Sequence, residues 1–276
     1  MTATLDNVSS WIERLSKTPI PVLKHTAREL ARLKEDESKL SARAITSIVL
    51  NDPFMVLKVI SYAQKHQGKN QLQDLIQVEQ AILMMGTDAF YRNLPASPLV
   101  EDQLKSDIPA LTHLLRLIKR AHRAAYYASD WAAMHKDFHS EEVRIAALLH
   151  DLAEMLMWCF APDKMNTIFA KQQADATLRS KALQEEILGF KLIDLQKELV
   201  EVFQLPPLLS KLMEDEGAHE HRAKNVTLAV NLARHSANGW DNAALPDDYK
   251  DIAEFLHVDV DRVKFLVGAP NEATPE

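Results

Sequence analysis

The scarcity of glycine constrains this chain more than any other feature of its sequence. Only six of its 276 residues are glycine, against an average usage of about 7% in proteins. Glycine is the residue that helix interiors tolerate worst after proline, so a low content favours helices. Hydrophobic residues make up 47% of the chain and charged residues 26%, which is ordinary for a domain that buries a core. We therefore predict an all-α fold.

Residues that begin and end helices recur along the chain. Asp52 and Pro53 offer a capping carboxylate followed by a proline in the first turn, where proline is tolerated. Gly86 is expected to end another helix, because glycine readily takes the left-handed conformation found at helix ends. We expect Thr87 and Ser140 to cap the helices that follow them.

The pattern of prolines and polar residues suggests two helical lobes within one unit of residues 1–276. Three prolines and a polar run interrupt the helical periodicity between residues 95 and 110, which marks the junction. The predicted N-terminal lobe spans residues 15–100 and the second lobe spans residues 110–240. Residues 241–276 are expected to form a C-terminal helix pair and a frayed tail.

Charge and composition exclude several classes of function. The net charge of −7 is a poor match to nucleic acid, because that binding depends largely on neutralising phosphates. Neither a secretory signal pattern nor an apolar run near the ~20 residues of a membrane span is apparent, so we expect a cytoplasmic protein without a membrane partner. Cys159, the only cysteine, leaves no intrachain disulfide, and its apolar neighbours predict a buried structural thiol.

The most informative motif is the pair His150 and Asp151. Apolar residues from Val143 to Met157 recur at helical spacing, which predicts one helix with His150 on its buried side. An adjacent imidazole and carboxylate can both reach one divalent ion. His122 lies 28 residues upstream on the apolar face of the preceding predicted helix, where packing of the two helices would bring the groups together.

This arrangement resembles the HD superfamily of metal-dependent phosphohydrolases, whose helices carry a His, then a His-Asp pair, then a distant Asp around one or two metals. Further motifs are similar to the HDOD branch, the HD-related output domains of bacterial signalling proteins. These motifs are Pro19-Ile20-Pro21, the run from Ile48 to Pro53 leading into Leu57-Lys58-Val59-Ile60, Val78 to Gly86, Leu188-Gly189 and Phe203-Gln204-Leu205-Pro206. The resemblance covers roughly residues 15–240 and implies an HD-domain-like helical fold with two lobes.

The chain also departs from the pattern of the catalytic relatives. Leu192 stands where those relatives carry a further metal-binding histidine, and Glu214 and Asp215 stand where a His-His pair is common. Arg234 occupies the region expected to hold the closing Asp, and a cation cannot ligate a metal. Glu154 replaces a basic residue that could meet substrate phosphate, and its carboxylate would repel that anion. Phosphohydrolysis is therefore not expected.

The resemblance implies a non-catalytic bacterial regulatory module that acts through protein partners or a bound small ligand such as a nucleotide. Its expected site is a cleft lined by His122, His150, Asp151 and Glu154. No cofactor is expected, and a divalent metal, if bound, would use the first three of these residues. Two alternatives remain: a metal-dependent phosphodiesterase or nucleotidase, and a scaffold whose cleft is inert. In the favoured interpretation, the His and Asp side chains form a buried polar network.

The remaining histidines carry a weaker signal. His135 and His139 have helical i, i+4 spacing, and His219 with His221 forms a His-x-His sequence. Both pairs lie among strongly polar residues, as surface loops do. We interpret all four side chains as surface residues without a functional role.

Overall fold

The computed structural model confirms the all-α prediction. It describes residues 7–66, 77–175, 178, 180–214 and 220–270. Within these ranges the regular elements are helices, and an isolated parallel bridge joins Val22 to Leu99. The helices in chain order are α1 (Val8–Lys17), α2 (Lys24–Glu35), α3 (Ala42–Val49), α4 (Pro53–Lys65), α5 (Val78–Met85), α6 (Thr87–Asn93), α7 (Val100–Gln103), α8 (Ile108–Met134), α9 (Ser140–Leu149), α10 (Leu152–Phe160), α11 (Pro162–Ala174), α12 (Ser180–Leu188), α13 (Leu192–Val202), α14 (Pro207–Leu212), α15 (His221–His235), α16 (Leu245–Leu256) and α17 (Val260–Val267).

The chain divides into two compact units, each built from two separate stretches. The first comprises Met1–Ile118 and Asp151–Pro207, and the second comprises Lys119–His150 and Leu208–Glu276. This division does not coincide with the contiguous lobes 15–100 and 110–240. Pro109 is the second residue of α8. Proline is tolerated there because the backbone N–H that it lacks would have no partner within the first turn of the helix. It therefore opens a long helix instead of marking a junction.

In the first unit, a buried carboxylate fixes the start of α4. Asp52 caps this helix as predicted: its Oδ1 accepts from the N–H groups of Phe54 at 2.9 Å and Met55 at 3.2 Å. Its Oδ2 accepts from the N–H of Leu23, the residue before α2, at 2.8 Å. Asp52 is fully buried, and this burial raises the pKa of its carboxyl to about 6. One side chain thus joins two segments that are far apart in sequence.

The second unit is organised around α15. This helix packs against α9 and α16, and α16 packs against α17, so the predicted C-terminal helix pair is present. Asn225 of α15 is buried and donates from Nδ2 to the carbonyl of Ala128 on α8 at 3.0 Å. The Tyr127 hydroxyl donates to the carbonyl of Val267 at 3.3 Å. Side-chain hydrogen bonds to the backbone therefore join α8 to α15 and to the end of α17.

Of the three other predicted helix ends, one is confirmed and two are wrong. Gly86 ends α5 with φ 79°, as expected for glycine at this position. Thr87 and Ser140 are instead the first residues of α6 and α9, and neither helix has a side-chain cap. At α9 the cap position falls on His139, because its N–H donates to Oδ1 of Asp137 at 2.9 Å and so fixes the turn one residue earlier.

Cys159 lies on α10 as a free cysteine that is 3% exposed, which confirms the predicted buried thiol. Burial is the main cause that raises the pKa of this thiol well above its ordinary value. In the part of the chain that the structure describes, no single helix has the length and apolar composition needed to cross a membrane. The bent pair Ser140–Phe160 and Pro162–Ala174 meets that requirement by length and composition only.

Candidate functional site

The His150 and Asp151 pair lies at a break between two helices. His150 follows the last residue of α9 and is 9% exposed, so its predicted burial is confirmed. Asp151 is half-buried, and its ψ of 29° departs from the helical value near −42°. The prediction of one continuous helix from Val143 to Met157 is therefore wrong, because the helical backbone is interrupted at His150 and Asp151 before α10 begins at Leu152.

Gln196, which the sequence did not single out, accepts a hydrogen bond from a backbone N–H at the start of α10. In an uninterrupted helix the N–H of Ala153 would bond to the carbonyl four residues earlier. Here it donates to Oε1 of Gln196 at 2.7 Å. Gln196 lies on α13, is 6% exposed and comes one helical turn after Leu192, the position where the predicted ligand is absent. The side chain of Gln196 therefore provides the acceptor that the break in the helix removes from the Ala153 N–H.

Electrostatics at the start of α10 disfavour a bound phosphate. Helix N-termini bind anions through free N–H groups and the positive end of the helix dipole. Gln196 occupies one of these N–H groups, and Glu154 places a carboxylate in the first turn of α10. Glu154 is half-buried, so its charge is less screened than it would be on an open surface. The repulsion of substrate phosphate by Glu154 stays a prediction.

The structure places the remaining predicted site residue, His122, half-buried in the middle of α8. Among the residues described, no group of three or more His, Cys, Asp and Glu side chains is arranged to hold a metal ion. The expectation that no cofactor is bound, and that a divalent metal would use His122, His150 and Asp151 if one were bound, stays a prediction.

The structure shows where the residues that depart from the catalytic pattern lie. Leu192 is the half-buried first residue of α13, and Glu214 is exposed after α14. Asp215 lies outside the described residues. Arg234 is half-buried near the end of α15, where the family pattern would place an aspartate.

A His-Asp pair beside Arg234 was also missed. Nδ1 of His235 lies 2.6 Å from Oδ2 of Asp248 on α16. Burial raises the pKa of the Asp248 carboxyl, and the hydrogen bond to His235 opposes that rise. The two residues are 13 positions apart and belong to different helices, so no local motif indicates their contact. The pair joins α15 to α16 within the second unit.

Comparison with known families explains this combination of motifs. The model of the HDOD domain matches residues 20–219. The chain belongs to the HDOD domain family. For this HDOD protein the match includes the Asp52 cap, the His150 and Asp151 pair and Gln196. No curated protein sequence matched the chain.

Solved structures show the same fold. The MmoQ response regulator from Methylococcus capsulatus str. Bath is 17% identical, with a TM-score of 0.66, and the match covers 91% of this chain and 99% of that one. A virulence factor from Campylobacter jejuni subsp. jejuni is also 17% identical, with a TM-score of 0.67 and coverage of 99% and 94%. At this level of identity the likeness concerns the fold alone.

Replacing Gln196 with methionine tests its role at the helix break. We expect the free energy of unfolding to fall by about 1 to 2 kcal/mol, because the Ala153 N–H would be left buried without an acceptor. Urea unfolding measures the change. Lys197→Ala, on the exposed neighbouring residue, is the control and should stay within about 0.5 kcal/mol of wild type. Equal stability of the two variants would contradict a role for the Gln196 hydrogen bond.

Proposed function

We propose that this HDOD protein is a non-catalytic regulatory module of bacterial signal transduction. It acts through protein partners or a bound small ligand such as a nucleotide, and it works in the cytoplasm. His122, His150, Asp151 and Glu154 are the residues through which we infer this contact. Membership of the HDOD family supports the signalling role, as does the name of a structural relative, a response regulator.

The observation that carries the proposal is the start of α10. A phosphohydrolase of this family would need metal ligands and an anion-binding environment next to its His-Asp pair. Instead, a neutral glutamine amide takes the Ala153 N–H, and the half-buried carboxylate of Glu154 follows Asp151 by three residues. Both features favour a recognition role for His150 and Asp151 over activation of water.

The missing ligands support the same conclusion. Metal activation of water requires several fixed ligands and an open coordination position. Leu192 has an apolar side chain and Arg234 a cationic one, so neither can donate to a divalent cation. A bound metal would have to rely on His122, His150 and Asp151 alone.

The first test measures metal content and hydrolysis together. We expect the wild-type protein, purified without chelator, to contain no more metal than the His150→Ala variant. We also expect no hydrolysis of phosphodiesters or nucleotides with added Mg²⁺ or Mn²⁺. Elemental analysis and product chromatography give the two readouts. Stoichiometric metal that disappears in His150→Ala, together with metal-dependent hydrolysis, would establish the phosphohydrolase alternative.

The second test concerns recognition. A nucleotide panel is screened by thermal unfolding, and partners are captured by cross-linking from a bacterial lysate, with wild type, His150→Ala and His25→Ala. His25 is exposed on α2 and serves as the matched histidine control. We expect to find a ligand or partner that binds equally to wild type and His25→Ala. His150→Ala should bind it at least tenfold more weakly. Equal retention by all three would exclude His150 from the contact surface.

A further inference from the structure

Three histidines meet at the ends of three helices in the second unit. His135 directly follows α8, His221 opens α15 and His257 directly follows α16. The ring centroids of His135 and His221 are 4.4 Å apart, and those of His135 and His257 are 6.4 Å apart. The ring of Phe255 lies 4.8 Å from His135 and 4.5 Å from His221. The interpretation of His135 as an ordinary surface residue is wrong in part, because its side chain is half-buried against these neighbours.

One ring nitrogen of His135 has no hydrogen-bond partner. This atom, Nε2, is buried, and the ring packs edge-on against the rings of His221 and Phe255. One nitrogen of a neutral imidazole carries a lone pair, which is what a metal ion requires of a ligand. Nε2 is therefore the atom through which His135 would bind a metal.

The buried Nε2 of His135 is costly while it has no partner, because buried polar atoms are normally hydrogen-bonded. A bound cation would satisfy this nitrogen.

Two carboxylates lie beside Arg222. Asp137 accepts from Nε and Nη2 of Arg222 at 2.8 and 3.0 Å. Oε1 of Glu142 lies 2.8 Å from Nδ1 of His139, and its Oε2 lies 3.9 Å from Nη1 of Arg222. The groups in ring contact at the cluster itself are imidazoles. Such a set suits Zn²⁺, Ni²⁺ and Cu²⁺ and suits Mg²⁺ or Ca²⁺ poorly.

We propose that His135, His221 and His257 bind a divalent transition metal of the zinc class. Their side chains do not yet converge, since no described group of three is arranged to hold a metal. His135 is the fixed ligand, because its ring packs against those of His221 and Phe255. His221 and His257 are exposed, so rotation about their side-chain bonds can bring a nitrogen from each toward Nε2 of His135 without repacking the core. The bound metal would tie the ends of α8, α15 and α16 together.

The test uses zinc and the full-length protein after removal of metals with a chelator. We expect saturable binding of one Zn²⁺ per chain by calorimetry. Because Zn²⁺ binds the folded state, a hundredfold excess over the dissociation constant should raise the melting temperature by roughly 5 to 10 °C. Mg²⁺ should leave it unchanged.

Variants locate the site. His221→Ala and His257→Ala replace exposed side chains, so the fold should persist, and each should weaken zinc binding at least tenfold. His135→Phe fills the same space beside Phe255 and should abolish binding, with circular dichroism confirming the helices. His139→Ala and His25→Ala replace exposed histidines outside the cluster and are controls that should bind zinc like wild type. No saturable binding by wild type, or wild-type affinity in the three cluster variants, would overturn the proposal.

Discussion

Replacing Asp52 with alanine is expected to lower the free energy of unfolding by about 3 to 4 kcal/mol at pH 5. The alanine variant would leave the N–H groups of Phe54, Met55 and Leu23 without their acceptor. Phe54 and Met55 are fully buried, so water cannot take the place of the Asp52 carboxyl group. Urea unfolding followed by circular dichroism measures the change.

The chain offers a matched control for this substitution. Asp259 caps α17 in the same way, accepting from the N–H of Arg262 at 2.7 Å, but it is exposed. Asp259→Ala should cost only about 1 kcal/mol, the usual value for a cap in water. If the two substitutions cost the same, then burial and the link to Leu23 contribute nothing, and Asp52 is an ordinary cap.

Asp52 should also make stability depend on pH. Its folded-state pKa of about 6 lies above the ordinary value of 3.8, chiefly because of burial, while the bonds from Leu23, Met55, Thr26 and Phe54 partly oppose the shift. A carboxyl with a raised pKa stabilises the fold fully below its unfolded pKa, and this contribution is lost as pH rises through the folded pKa. The window therefore runs from about pH 4 to pH 7.

Asp52→Asn isolates this effect from the other titrating groups. The amide keeps an oxygen for the α4 cap and does not titrate. Relative to this variant, wild type should lose about 3 kcal/mol of stability between pH 4 and pH 7. Unfolding free energies of both proteins, measured at several pH values, give the difference directly. Parallel pH profiles would show that folding does not raise the pKa of Asp52.

The sequence by itself determined which segments are helical and where several of them begin. Six glycines in 276 residues and the cap formed by Asp52 and Pro53 are local signals, and local signals are sufficient for helices because their backbone bonds join residues four apart. The motifs around His150 and Asp151 likewise sufficed to indicate the HDOD family. The burial of His150 and Cys159 followed from their apolar neighbours.

Tertiary structure alone decided which distant residues meet. Gln196 bonds to Ala153 across 43 positions, and His135 lies against His221 from another helix. Helical periodicity predicts which face of a helix is buried, but it does not specify the helix packed against that face or the side chains opposite one another. The break at Asp151 shows the same limit, because the alternative acceptor for the freed N–H comes from α13. Such contacts arise only when the separate helices pack.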